Sequence, residues 1–232
     1  MATYALSLVD NVPAIATPQN QVLLIDTGSP SSFSETGEIE IGGQKHLAPT
    51  SLFGVVTANY LRQHMHHAEI AGIIGMNILS KAIYEFDYRN LILNVNSPHD
   101  EYLKGALEVL DLSYAGGVPV LTIQVSGQRE LSRFLLDTGA KLSYTIPQIS
   151  AALQSVGTST DFSPSFGPNL LATQYEDFSY TAGSTSFQHI IHENPQVTEG
   201  IRPYGVVGIL GYHFMRERVM LFNPVTSQLI IK

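Results

Sequence analysis

The chain has 232 residues, 44% of them hydrophobic and only 14% charged, with a formal net charge of -8. That charge leaves no basic field to displace phosphate counterions, so a nucleic-acid partner is not expected. The absence of cysteine removes disulfides, thiolate zinc sites and cysteine nucleophiles together, and no apolar run approaches the roughly 20 residues of a membrane-spanning helix, so no membrane association is expected.

The length suits one large domain or two small ones of about 100 residues each. Nineteen glycines and twelve prolines are spread along the chain, which favours a compact, turn-rich, all-β or mostly β protein with a few short helices. The first ten residues have neither a basic segment nor a long apolar core, so no signal peptide is expected. With no cysteine and no usable Asn-x-Ser/Thr sequon, the composition points to a cytoplasmic protein.

In chain order, the first apolar β-type segment runs from Val12 to Ile25, with a turn near Pro18-Gln19-Asn20, and ends in Asp26-Thr27-Gly28-Ser29. Residues 37 to 49 read as a hairpin about Gly42-Gly43, and Ala58 to His67 shows helical periodicity. Ala71-Gly72-Ile73-Ile74-Gly75 follows, then a short helix and a hairpin with its turn at Tyr88-Arg89-Asn90. A polar stretch from Ser97 to Glu101 reads as a linker.

The order then repeats. Val118 to Val125 reads as a strand, Ser126-Gly127-Gln128 as a turn, and Leu131 to Leu136 returns into Asp137-Thr138-Gly139-Ala140. A helix is expected over Pro147 to Val156, with proline near its start, and a hairpin over Tyr175 to His192 about Ala182-Gly183. Val207-Gly208-Ile209-Leu210-Gly211 leads into a second short helix and hairpin. The two aspartates are 137 − 26 = 111 residues apart and the closing glycines 211 − 75 = 136 apart, so the second copy holds the longer insert. This division predicts residues 1–97 as one domain, 98–105 as a linker and 106–232 as a second domain.

A lone Asp-Thr-Gly arises by chance in ~5% of chains of this length and reads as a turn. Two copies, each behind a leucine-rich strand and each followed by apolar-apolar-Gly, read as paired-carboxylate chemistry. Two carboxylates brought close cannot both ionise easily, so the pair shares a proton, one acting as base and the other as acid. No metal or other cofactor is required. Among weaker signals, His64 and His67 with Glu69 are candidate metal ligands, but they lack a closed set of familiar spacing and read better as an exposed helix. Asp87 and Asn223 occupy matching positions and read as turn caps. Ser29, Ser31 and Ser32 have no His/Asp framework to make one a nucleophile.

Asp26-Thr27-Gly28-Ser29 and Asp137-Thr138-Gly139-Ala140, with Ile73-Ile74-Gly75 and Ile209-Leu210-Gly211, resemble the pepsin and retropepsin families of aspartic peptidases. Residues 118 to 140 are especially similar to retropepsin-like lobes. The resemblance covers both halves. It implies a bilobal acid-protease fold of two retropepsin-like β-barrel lobes related by pseudo-two-fold symmetry. It implies an aspartic endopeptidase with Asp26 and Asp137 as the catalytic pair, cross-braced by Thr27 and Thr138, with Gly28 and Gly139 completing the loops. It further implies that Ser29 hydrogen-bonds Asp26 where Ala140 has no hydroxyl to offer Asp137, making the dyad asymmetric. The expected substrate is a polypeptide, the expected inhibitors are of the pepstatin type, and one chain supplying both aspartates implies a monomer. The chain is shorter than pepsins yet joins lobes that retropepsins supply as separate subunits. For the hairpin that covers substrate, Tyr175 to His192 is the better candidate, with Tyr175 and Tyr180 as substrate-binding residues. The competing expectation is a peptidase-like module that grips a peptide without cutting it.

Overall fold

The computed structural model describes residues 1–17, 21–164 and 167–232. The turn expected at Pro18-Gln19-Asn20 lies outside the described residues. Strands account for 49% of the chain and helices for 15%, so the backbone is satisfied mainly by sheet ladders. Among the described residues no helix is long and apolar enough to cross a membrane.

The repeat is a repeat of strand pairing. In the N-terminal half, β1 (Ala2–Val9), β2 (Val12–Ala16) and β3 (Val22–Ile25) form an antiparallel meander. In the C-terminal half, β10 (Glu108–Ala115), β11 (Val118–Val125) and β12 (Ser132–Leu136) do the same. The first turn of each meander has two residues at positive φ: Asp10 and Asn11 in one, Gly116 and Gly117 in the other. Such mirror-image turns match the twist of the flanking strands, and Asn, Asp and Gly tolerate them best.

The third strand of each meander pairs in parallel with a strand far along the chain. β3 pairs with β7 (Ile70–Ile74), and β12 with β17 (Gly208–Leu210). A two-residue strand pairs antiparallel to each of these: β4 (Phe33–Ser34) to β7 and β13 (Tyr144–Thr145) to β17. A four-residue helix follows each, α2 (Met76–Leu79) and α6 (Tyr212–Met215). Then come the hairpins β8 (Tyr84–Asp87) with β9 (Ile92–Val95) and β18 (Val219–Asn223) with β19 (Gln228–Ile231). Their turns are capped alike. Asp87 Oδ1 accepts from the amides of Arg89 and Asn90, and Asn223 Oδ1 from those of Val225 and Thr226.

β8 pairs with β18 across the halves, giving one antiparallel sheet in the order β1-β9-β8-β18-β19-β10. The central strands behind each Asp are buried on both faces, hence their unbroken apolar runs. Alternate side chains go to different cores. Leu23 and Ile25, with Phe134 and Leu136, join a core shared by both halves. Leu24 joins a separate cluster in the first half and Leu135 one in the second. The linker region carries a five-residue helix, α3 (His99–Leu103). It joins halves that are also fused by a sheet and a core.

The inserts break the symmetry. In the second half β14 (Ser155–Ser163), β15 (Gly167–Ala182) and β16 (Thr185–Glu193) follow the one-turn helix α4 (Pro147–Ser150). The helix expected out to Val156 stops there, because the Ser-Val-Gly-Thr-Ser-Thr stretch from 155 pairs with β15 instead. β15 pairs with β11 and β16 with β13, so the ring β11-β12-β17-β13-β16-β15 closes. The first half holds only the hairpin β5 (Glu38–Ile41) and β6 (Gln44–Leu47), whose strands pair with each other alone among the described strands. It therefore corrects the expectation of two barrels. Its insert is too short to return a strand to the meander, and the ring stays open. The helix α1 (Ala58–Met65) closes the insert, capped by Thr57, whose hydroxyl accepts from the Tyr60 amide.

Candidate active site

Both Asp-Thr-Gly loops leave the ends of central strands and meet at the junction of the halves. The parallel partner holds each aspartate: the Asp26 amide donates to the Ile74 carbonyl and the Asp137 amide to the Leu210 carbonyl, both at 3.0 Å. Gly75 and Gly211 end those partners directly against the loops. A Cβ on Gly75 would meet the Ser31 carbonyl oxygen at 2.4 Å, and one on Gly211 the Ala140 carbonyl oxygen at 2.5 Å.

Thr27 and Thr138 are buried and brace each other reciprocally. The Thr27 amide donates to Thr138 Oγ1 and the Thr138 amide to Thr27 Oγ1, each at 2.9 Å. The Thr27 hydroxyl donates to the Leu136 carbonyl and the Thr138 hydroxyl to the Ile25 carbonyl, each at 2.7 Å. Each hydroxyl is thus both donor and acceptor, and no buried polar atom of the crossing is left unpaired.

Gly28 and Gly139 lie against the opposite carboxyl. A Cβ on Gly28 would sit 2.2 Å from Asp137 Cγ, and one on Gly139 2.3 Å from Asp26 Cγ. Glycine is required because the facing carboxylate occupies that space. Asp26 and Asp137 hydrogen-bond to each other through their side chains. Asp26 Oδ1 accepts from the Ser29 amide at 2.9 Å and Asp137 Oδ1 from the Gly139 amide at 2.8 Å. The Gly28 and Ala140 amides also lower the cost of the charged forms.

Both residues keep a face open to the cleft, but the carboxyls sit deep among protein atoms. Burial is the largest influence on each and raises both above the ordinary carboxylate range. For Asp137 the charge of Asp26 and the bond between them add to the rise, placing it well above that range. For Asp26 the bond to Asp137 and the loop amides work against the rise. The pair therefore retains one proton at pH values where an isolated aspartate is fully ionised.

The expected asymmetry at Ser29 and Ala140 does not reach the carboxyls. The Ser29 hydroxyl donates instead to the Ser31 carbonyl at 2.7 Å, and the contacts to Asp26 come from backbone amides that Ala140 also has. Two further serines act symmetrically. Ser32 Oγ accepts from the Gly75 amide at 2.8 Å and Ser143 Oγ from the Gly211 amide at 3.0 Å. Both lie six residues after their aspartate, with an aromatic next, so the repeat itself carried the signal for them.

The dyad forms the floor of a cleft of about 420 Å³. Its walls come from the two inserts and from the separate cores. The first half contributes a tight turn in which Leu52 and Val56 form an isolated bridge, with Phe53 and Val55 largely exposed. The second half contributes the β14–β15 hairpin through Asp161, Phe162 and Pro164. Tyr144 Oη donates to Asp161 Oδ2 at 2.6 Å and ties this hairpin to the loop after Asp137. Phe162 reaches across the cleft, its ring stacked on His64 of α1 at 5.3 Å and 8° and close to Tyr60.

The covering hairpin therefore differs from the one expected. The turn of the β15–β16 hairpin at Gly183-Ser184 is held elsewhere, with the Ser184 amide and hydroxyl both donating to Glu108 Oε2 at 2.7 Å. Tyr180 is buried in the shared core, its hydroxyl 3.1 Å from His189 Nε2. Tyr175 packs on the same core and donates to Glu193. Neither tyrosine lines the cleft. As for His64, its Nδ1 lies 2.7 Å from the Tyr60 carbonyl, and among the described residues no three His, Asp or Glu side chains are grouped to hold a metal.

This arrangement can polarise a water against a carbonyl at the cleft floor, with one carboxyl as base and the other as acid. No protein-family model matches the chain, and no curated protein matches it at a significant level.

Proposed function

We propose that the protein is an aspartic endopeptidase whose two halves are the lobes of a pepsin-like fold related by pseudo-two-fold symmetry. The observation that carries this reading is the hydrogen-bonded Asp26/Asp137 pair, held by a reciprocal threonine brace at the floor of a cleft. The ionised carboxyl takes a proton from water as its oxygen attacks the scissile carbonyl. The protonated carboxyl gives its proton to the carbonyl oxygen. As the tetrahedral intermediate collapses, the carboxyl that took the water proton gives it to the departing amine nitrogen, and the other carboxylate recovers its proton from the hydroxyl, which restores the dyad. Leu52, Val56, Leu170, Val197 and Ile209 line the cleft and favour apolar side chains beside the cut.

Raised pKa values support the one-proton state from mildly acidic pH toward neutrality, with activity lost as pH rises past the point where both carboxyls ionise. A module that only grips peptides would use the same cleft but has no use for a shared proton. The test is incubation with a denatured-protein mixture from pH 3 to 7, with and without pepstatin. Pepstatin-sensitive cleavage that disappears in Asp26→Asn and Asp137→Asn is expected. Cleavage that persists in either variant, or none at any pH, sinks the proposal.

A further inference from the structure

On a chain with 20 acidic and 12 basic residues, Arg89, Arg216, Arg218 and Lys232 line a single pocket of about 260 Å³. Among the described residues Glu217 is the one side-chain carboxylate lining it, none of the four cations is in an ion pair with a side chain, and the Lys232 ammonium lies over the Tyr102 ring at 4.0 Å. The pocket shares no lining residue with the cleft above the dyad. It straddles the junction of the halves, because Arg89 lies in the β8–β9 turn and Arg216 and Arg218 lie between α6 and β18.

Two of the guanidinium groups are pinned by main-chain oxygens, with no side-chain carboxylate among their hydrogen-bond partners. Arg89 Nε donates to the Glu217 carbonyl at 2.6 Å and its Nη2 to the Lys232 carbonyl oxygen at 3.4 Å. Arg218 donates to the Phe214 and Arg216 carbonyls and lies over the Phe187 ring at 4.8 Å. Among the described residues Arg216 makes no side-chain hydrogen bond. His213 adds a buried Nδ1 at the pocket wall that has no hydrogen-bond partner among the described residues. The cations also oppose one another. Burial lowers the Arg218 pKa, Tyr180 and Glu217 act against that, and Arg216 and Arg89 add to it; burial, His192 and Arg216 push His213 down to about 4. Four cations thus share one pocket with a single side-chain carboxylate, Glu217.

We propose that this pocket binds a small multivalent oxyanion of the phosphate class, which bridges the two halves through Arg89 on one side and Arg216 and Arg218 on the other. A monocarboxylate engages one guanidinium fork, whereas a phosphate group presents three acceptor oxygens and up to two charges to several cations at once. Diffuse attraction does not explain the binding, because the net charge of the chain repels anions elsewhere.

The test is calorimetric titration of the full chain with inorganic phosphate, pyrophosphate and citrate at pH 7 and constant ionic strength, paired with thermal melts. Saturable one-to-one binding is expected, tightest for pyrophosphate, with a melting temperature that rises with ligand concentration. Arg216→Ala, whose side chain supports no described bond, keeps its fold and binds at least about tenfold more weakly, a loss of about 1.4 kcal/mol. Arg89→Ala, from the other half, weakens binding as well, while Arg129→Ala, outside the pocket, leaves it unchanged. Absence of saturation, or wild-type affinity in both Arg216→Ala and Arg89→Ala, would overturn the site. Citrate binding as tight as pyrophosphate would overturn the phosphate assignment. None of these readouts depends on peptide cleavage.

Discussion

The two halves are alike where they meet and unlike where they reach outward. At the junction, three corresponding pairs of hydrogen bonds have equal lengths: 2.9 and 2.9 Å between threonine and opposite amide, 2.7 and 2.7 Å to the opposite carbonyl, 3.0 and 3.0 Å from Asp amide to parallel strand. Away from it, one insert closes a ring of six strands and extends a hairpin over the cleft. The other leaves its ring open and offers a short turn with exposed Phe53 and Val55. Dyad geometry is thus the work of a duplicated frame, and cover over the cleft is the work of one insert. Each half supplies one carboxyl of the pair, while the hairpin over the cleft comes from the second.

The strongest break in this comparison would come from the aspartates. Asp26→Asn and Asp137→Asn should each lower cleavage by at least about 10²–10⁴-fold, because each carboxyl is half of one acid–base unit. Unequal losses in single-turnover rates would show that the junction symmetry is not functional. The same variants test the electrostatics. A carboxyl whose folded pKa is raised contributes stability below the ordinary carboxylate pKa, which is lost as pH rises through the folded value. Asp137→Asn should therefore be more stable than the parent at pH 7 by urea denaturation, even as activity disappears.

Next are Gly28→Ala and Gly139→Ala. Each new methyl would collide with the facing carboxyl, so loss of cleavage and a destabilisation of about 1–3 kcal/mol are expected in both. Thr27→Val and Thr138→Val should each cost about 1–3 kcal/mol, since each leaves a buried amide and a buried carbonyl without partners. The double variant should cost less than the sum, because the two hydroxyls complete one set of bonds.

A pH series separates the halves. His189 is buried in the second half and held neutral to about 4, chiefly by burial, against an ordinary 6.5. His213 and His192, beside it, are also lowered by burial. A lowered imidazole contributes stability that is complete above 6.5 and is lost as pH falls from there toward 4. The slope reaches up to about 1.4 kcal/mol per pH unit for a fully buried ring. Acid denaturation should begin in the second half, and His189→Gln should flatten the slope between pH 6.5 and 4. The smallest expected effect is that of Phe162→Ala. Loss of its stack on His64 should cost about 1–2 kcal/mol, less than a fully buried phenylalanine, and should raise KM more than it lowers kcat. Faster hydrogen exchange confined to residues 155–182 would locate the change in the covering hairpin.

Much of this division was legible before any coordinates. Asp26, Asp137 and their flanking Thr-Gly residues stand out because short-range requirements repeat: a buried strand, a tight loop, a glycine where a facing group leaves no room for a methyl. Ser32 and Ser143 share the same offset and were legible on the same grounds, although a serine with no obvious partner draws no notice. Tyr175 and Tyr180 misled, because an aromatic in a hairpin looks the same whether it faces core or cleft. Burial of Tyr180 against Phe178, Phe187 and Phe214 decided that question, and it depends on how two strands and a helix pack. Asp161 and Phe162 gave no local signal, since their partners Tyr144 and His64 lie 17 and 98 residues away. By itself the sequence determined the duplicated strand order and the paired carboxylates, because both are written in local patterning that occurs twice. Only the tertiary structure decided which hairpin covers the cleft, which ring closes, and that four cations meet at one pocket. Each of those depends on contacts between segments whose sequences carry no mark of one another.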